Sequence, residues 1–133
     1  MAILIDADVI IAAERGTFDL RRWLASRPGD EFEVAAITVA ELWHGTERAT
    51  GAHRAARLLF LQEALRHFDI VSYTEQTAYE HARLWAQLES SGKMIGYHDL
   101  IVAATALERG DDVATFNVRH FSVVKGLTVI EPV

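Results

Sequence analysis

Asp6, Glu41 and Asp99 are the residues of this 133-residue sequence whose type and placement can do chemistry together. All three offer hard oxygen donors, and the chain has no cysteine to add a soft one. Two carboxylates ~4 Å apart repel by on the order of 4 kcal/mol at an effective dielectric of about 20, so a cluster of three persists where a cation neutralises it. An all-oxygen set points to Mg²⁺, with Mn²⁺ as a substitute, and excludes Cys₄ or Cys₂His₂ zinc. Such ions bind phosphate oxygens, activate water and stabilise a leaving oxygen, which is the chemistry of phosphodiester hydrolysis. Each carboxylate also has an ordinary structural explanation. Asp6 can cap a helix, Thr38-Val39-Ala40-Glu41 is a capping-box pattern, and Asp99 can favour a helix dipole. The metal reading therefore depends on whether the elements bring the three to one edge.

The apolar run Ala2-Ile3-Leu4-Ile5 suits a strand buried on both faces, and Asp6 ends it. A helical stripe follows through Val9, Ile10, Ala12 and Ala13 to Gly16, and Thr17 can cap a second helix carrying Phe18, Leu20, Trp23 and Leu24, broken at Pro28-Gly29. Glu33–Ile37 reads as the second strand. Thr38 opens a helix with Val39, Leu42 and Trp43 on one face and Glu41 in its first turn. A further helix spans about Ala52 to His67. Ile70–Tyr73 is a weaker third strand, with Asp69 interrupting the apolar pattern. Thr74 caps a long helix to Gly92, and the helix around His98–Arg109 ends at Gly110. Val113–Phe116 and Leu127–Ile130 are the last strands. Strands separated by helices make an α/β domain: one unit over residues 1–133, with a mostly parallel sheet between two helical layers. In such sheets, sites form in the crevice outside the carboxyl ends of the strands. Asp6, Glu41 and Asp99 all fall at that edge if the strands are parallel.

Composition sets limits on function. The net charge of −6, from 19 acidic and 13 basic residues, argues against a protein that coats nucleic acid with a basic surface. It is compatible with a nuclease, since bound divalent ions invert the local sign. No apolar run approaches the ~20 residues that span a bilayer, so no membrane partner is expected. Ala2–Ala13 is too short for a signal peptide and carries Asp6 and Asp8. The absence of cysteine fits the cytoplasm.

Four motifs in order, Ile3-Leu4-Ile5-Asp6-Ala7-Asp8-Val9-Ile10, Thr38-Val39-Ala40-Glu41-Leu42, His98-Asp99-Leu100-Ile101-Val102-Ala103-Ala104-Thr105-Ala106 and Thr115-Phe116-Asn117-Val118-Arg119-His120-Phe121, resemble a PIN domain. The likeness is greatest to VapC-type toxins of toxin–antitoxin modules, closes with Val124-Lys125-Gly126-Leu127, and covers essentially the whole chain. It implies a PIN-like three-layer sandwich and a Mg²⁺-dependent endoribonuclease that inhibits translation and growth. It further implies a homodimer silenced by a cognate antitoxin whose tail enters the site. Asp6, Glu41 and Asp99 match the family's acidic triad. The fourth site position, acidic in many members, falls near Asn117, whose amide can still hold a water or phosphate. Ala7 and Asp8 replace the family's Thr or Ser and Asn after the first Asp. Asp8 can add a charge behind the site or help to bind metal.

Two rival readings remain. Asp6-Ala7-Asp8-Val9 after an apolar strand also resembles the nucleophile motif of haloacid-dehalogenase-type phosphohydrolases, with Lys93 and Gly110-Asp111-Asp112 as later motifs; Glu41 would then be expendable. Alternatively, the PIN fold serves as a non-catalytic binding protein. Among smaller features, His98 beside Asp99 is a candidate substrate contact, and Arg119 with His120 can meet phosphate. Trp23, Trp43 and Trp85 read as core or interface anchors, with Trp43 able to line the site mouth.

Overall fold

In the computed structural model, which describes residues 1–133, the first strand β1 (Ala2–Ile5) leads directly into helix α1 (Ala7–Glu14) through Asp6. There follow α2 (Leu20–Ala25), β2 (Glu31–Ala35), α3 (Ala36–Arg48), α4 (Gly51–Leu65), β3 (Asp69–Val71), α5 (Glu75–Ser91), α6 (Tyr97–Arg109), β4 (Asp112–Ala114), α7 (Val118–Phe121) and β5 (Val129–Ile130). The five strands form one sheet in the order β3-β2-β1-β4-β5, and every pairing is parallel. The chain thus builds outward from β1 to β3, then returns to the other side of β1 for β4 and β5.

The period-2 alternation of the strands divides the core into two layers. Ile3, Ile5, Val34 and Ala114 face one side, where they pack with Val9 and Ile10 of α1, Trp23 of α2, Leu42 of α3 and Leu61 of α4. Leu4, Ala35, Val71 and Val113 face the other, against Leu84 and Leu88 of α5, Leu100, Val102, Ala103, Ala104 and Ala106 of α6, and Phe121 of α7. This is the three-layer sandwich expected from the sequence. β1 is buried on both faces because it is central, with Ile3, Leu4 and Ile5 all fully covered.

Several local expectations are corrected. β2 begins two residues early and ends at Ala35, and α3 starts without an intervening loop, so Ala35 is the N-cap and Thr38 lies inside the helix. The Thr38–Glu41 capping box does not form. Thr38 Oγ1 is buried without a partner, and Glu41 sits in the second turn rather than the first. Asp19 caps α2, accepting from the Arg22 amide at 3.0 Å, while Thr17 donates back to the Ala12 carbonyl. Asp69 belongs to β3, where an exposed edge strand tolerates its charge. The four-residue helix α7, with Asn117 as N-cap, is too short to show a helical period in sequence.

Candidate active site

β1 and β4 are neighbours in the sheet, and the chain's direction of growth reverses between them. At such a switch point the loops leaving two adjacent parallel strands diverge to opposite layers and open a crevice at their carboxyl ends. Asp6 follows β1 and Thr115 follows β4. The Asp6 amide donates to Ala114 O at 2.9 Å and the Thr115 amide to Ile130 O at 3.0 Å, so the ladder carries both residues to the very edge.

The two side chains then meet. Thr115 Oγ1 donates to Asp6 Oδ2 at 2.8 Å and accepts from the Asn117 amide at 2.9 Å. A hydroxyl has one proton, so Asp8, 3.2 Å away, takes its hydrogen bond from the Phe116 amide at 3.1 Å. Asp6 Oδ1 accepts from the Ala7 amide at the start of α1. Asp6 is therefore both a helix cap and part of the carboxylate group; the two roles do not compete.

α3 packs against both α1 and α6, which brings Glu41 and Asp99 to the same edge. Asp6, Asp8, Glu41 and Asp99 repel one another across the crevice: the Asp8 and Asp99 charges both act on Asp6 and on Glu41. Burial, reinforced by Asp8 and opposed by the Thr115 hydrogen bond, pushes Asp6 up to about 7. Burial also raises Asp8, Glu41 and Asp99 above the ordinary carboxylate range. Two imidazoles stand at the rim. His98 Nδ1 is 3.4 Å from Glu41 Oε2 and His120 Nδ1 is 3.9 Å from Asp99 Oδ2; each offsets part of the rise at its neighbour.

The donor set fits a hard divalent cation. Glu41 Oε1 is buried with no hydrogen-bond partner, an oxygen left for something the protein itself does not supply. No group of three or more His, Asp or Glu side chains is arranged here to hold a metal ion on its own.

The remaining expected residues lie nearby or apart. Asn117 Nδ2 donates to His120 Nδ1 at 2.9 Å, so its amide orients the rim histidine. Arg119 is exposed on α7. Trp43 is half-buried against the α1-side core, and Trp23 is buried between Phe18 and Phe32. Trp85 is exposed on α5, outside both cores. Thr115 acquires its role only because β4 pairs beside β1, a long-range contact that no local sequence pattern shows.

Residues 3–127 match the family profile of the PIN domain. Ribonuclease VapC1 of Rickettsia felis is 31% identical over 131 residues, 98% of this chain and 96% of its own length. The chain belongs to the PIN-domain family, in its VapC branch. Among solved structures, the fold matches that of VapBC2 from Rickettsia felis bound to a DNA fragment from its promoter, with a TM-score of 0.89, 19% identity and 98% of each chain covered. VapBC-5 from Mycobacterium tuberculosis, a member of the VapBC family of toxin–antitoxin systems, superposes with a TM-score of 0.74 at 26% identity, covering 97% of this chain and 95% of its own.

The phosphohydrolase alternative loses its later motifs in this PIN domain. Asp111 is buried at the far end of α6 from Asp99, sharing the Arg109 guanidinium with Glu33, whose Oε1 accepts from Arg109 Nε at 3.0 Å. It has no path to Asp6. No helix is long and apolar enough to cross a membrane.

Proposed function

We propose that this PIN domain is a metal-dependent endoribonuclease, the toxin of a toxin–antitoxin pair, that hydrolyses RNA phosphodiester bonds at the β1–β4 crevice. The observation that carries the reading is the set of four half-buried to buried carboxylates at one sheet edge, with Asp6 raised to about 7 and Glu41 Oε1 unpartnered. Asp6, Glu41 and Asp99 would hold Mg²⁺, or Mn²⁺ in its place, and Asp8 stands where it can join them. When bound, the cation supplies a nucleophilic water and neutralises charge at the scissile phosphate.

The chain's own residues do the positioning. Thr115 and the Ala7 amide fix both oxygens of Asp6, and the Phe116 amide fixes Asp8. His98 and His120 line the rim beside Glu41 and Asp99, where an RNA phosphate would pass, and Asn117 orients His120. Arg119 on α7 is an exposed cation for the RNA backbone. No His or Lys is required as a base in this account. Its partner is a cognate antitoxin, as in the VapBC relative, and the toxin acts as a homodimer in the cytoplasm.

The test is cleavage of single-stranded RNA by the purified chain with Mg²⁺, with 5′ ends mapped by sequencing. Asp6→Asn and Asp99→Asn abolish the products in this account. Equal rates in both variants would overturn it.

A further inference from the structure

A second buried set of charges lies at the opposite edge of the sheet from the crevice, and RNA cleavage makes no use of it. It consists of Glu33 in β2, Arg109 at the end of α6 and Asp111 just ahead of β4. Ala35 and Val113 face the α5–α6 layer, so alternation turns Glu33 and Asp111 to that layer as well. Glu33 is the register partner of Leu4 in β1, and Leu4 pairs on its other side with Val113. The two carboxyl groups thus reach toward each other over the central strand, from strands about 10 Å apart. Backbone bonds hold the Asp111 end in place. The chain turns through Gly110 at φ +71°, and the Asp111 amide donates to Ala106 O at 2.8 Å.

Arg109 stands between the two acids. Its Nε donates to Glu33 Oε1 at 3.0 Å, its Nη2 donates to Glu33 Oε2, and Asp111 Oδ2 is 3.4 Å from Nε. Nε carries one hydrogen, so the shorter bond to Glu33 leaves Asp111 with the weaker claim. The charges do not balance. Glu33 and Asp111 are only 6% and 7% exposed, and two carboxylates against one guanidinium leave an excess negative charge where water hardly reaches. Buried charge without a counter-charge is costly, and one proton cancels it. The contact between the two carboxyl groups needs the same proton, because carboxylates only accept. Glu33 holds both guanidinium bonds and stays the carboxylate; Asp111 is the group left to carry the proton and donate it. Burial, then the Glu33 carboxylate, push Asp111 up to about 7 against the pull of Arg109. Glu33 feels burial too, yet its hydrogen bonds from Asp111 and Arg109 hold it below the ordinary range. The other charges of the surrounding elements are engaged elsewhere. Glu31, Asp69, Glu108 and Lys125 are exposed, and Asp112 alternates to the far face. On α5, Glu75 is bonded to Tyr79, Glu80 to Arg83 and His81 to Tyr73.

We propose that Glu33 and Asp111 share one proton and, with Arg109, form a pH-sensitive latch that ties the end of α6 to β2 across β1. In weak acid the latch is closed: Asp111 donates to Glu33, and Glu33 accepts from Arg109. When the proton leaves, two buried carboxylates face one guanidinium, and the hold on the end of α6 loosens. Asp111 stands higher in the folded chain than its unfolded 3.8. The stability it brings is therefore full below that value and is lost as pH rises through about 7. The latch lies apart from Asp6, Glu41 and Asp99 and holds whether or not the crevice cleaves RNA.

The experiment follows the carboxyl carbon NMR shifts of the uniformly ¹³C-labelled chain from pH 5 to pH 9 in EDTA. The Asp111 and Glu33 carboxyl carbons move together through one midpoint at about 7, as for groups that own one proton jointly. Glu33→Gln removes the joint owner at constant size. The Asp111 midpoint then drops to the ordinary carboxylate range, roughly 4, beside Arg109. The fall of Tm between pH 5 and pH 8 also becomes smaller in Glu33→Gln than in the parent, since the crevice carboxylates contribute equally to both. An Asp111 carbon at its carboxylate position from pH 5 upward would overturn the latch. So would a midpoint near 7 that Glu33 does not follow and Glu33→Gln does not move, which would assign the proton to burial alone. Should Glu33→Gln not fold, the joint movement of the two carbons in the parent decides by itself, and its absence overturns the proposal.

Discussion

Thr115 is the residue on which the geometry of the carboxylates turns. Its hydroxyl donates to Asp6 and accepts from the Asn117 amide, with Asp8 3.2 Å away on α1. Thr115→Ala leaves the Asn117 amide and Asp6 Oδ2 without their partner and lets Asp6 rotate. Outer partners of metal-binding groups are typically worth about 10–100-fold in metal affinity or activity, and a loss of that size is expected in the Mg²⁺ dependence of RNA cleavage. Thr115→Ser keeps the hydroxyl and retains most of the rate. Equal Mg²⁺ titrations for the alanine variant and the parent would show that Asp6 is held by Ala7 alone. His98 belongs to this scale too. It stands 3.4 Å from Glu41, so His98→Ala is expected to raise KM for RNA more than it lowers kcat, as for a residue that faces substrate.

At the scale of elements, α6 connects the two ends of the molecule, with Asp99 in its first turn and Gly110 closing it at φ +71°. A side chain at that left-handed position costs about 1–2 kcal/mol. Gly110→Ala is therefore expected to lower the urea midpoint while leaving RNA cleavage intact, since nothing crowds the added Cβ and the site lies at the other end. The elements differ in how much of them the sequence alone reveals. β1 and α6 are legible because an unbroken apolar run and a strong helical stripe are local signals. β3 and β5 are short edge strands, and Ile70 is half exposed, so burial leaves little pattern to read. Thr38 misleads for a physical reason: the Thr-x-x-Glu pattern is real, but α3 begins directly from β2 and swallows it. Asp6, Glu41 and Asp99 stand out in the sequence by type and order, and His120 by its place beside Asn117 and Arg119. Thr115 does not, because its bond to Asp6 depends on β4 pairing beside β1, a contact between residues more than a hundred positions apart.

The whole molecule places two acidic groups at opposite ends of one sheet, and both hold protons unusually far up the pH scale. Asp6 and Asp111 are each raised from 3.8 to about 7, chiefly by burial. Between those values the folded chain binds protons that the unfolded chain has already lost, so folding stability falls as pH rises through that window. His81, lowered from 6.5 by burial, works the other way but is a single group. Thermal unfolding in EDTA should accordingly give a lower Tm at pH 8 than at pH 5, and Mg²⁺ should raise Tm more at pH 8, where the crevice carboxylates are charged. A Tm that rises with pH in EDTA would contradict the burial of these groups. The two ends also separate function from folding. Asp111→Asn disturbs the Glu33–Arg109 contact and is expected to change stability while RNA cleavage persists. Loss of cleavage with an unchanged fold would bring the phosphohydrolase alternative back.

The central claim is that Asp6, Glu41 and Asp99 assemble a cation-dependent RNA-cleaving site at the β1–β4 crevice. The most direct measurement is the cleavage rate of a single-stranded RNA by the purified chain as Mg²⁺ is titrated, then removed with EDTA, alongside Asp99→Asn. The account predicts saturable Mg²⁺ activation, no products in EDTA, and none from the variant at any Mg²⁺ concentration. Undiminished cleavage in EDTA, or by Asp99→Asn, would contradict it.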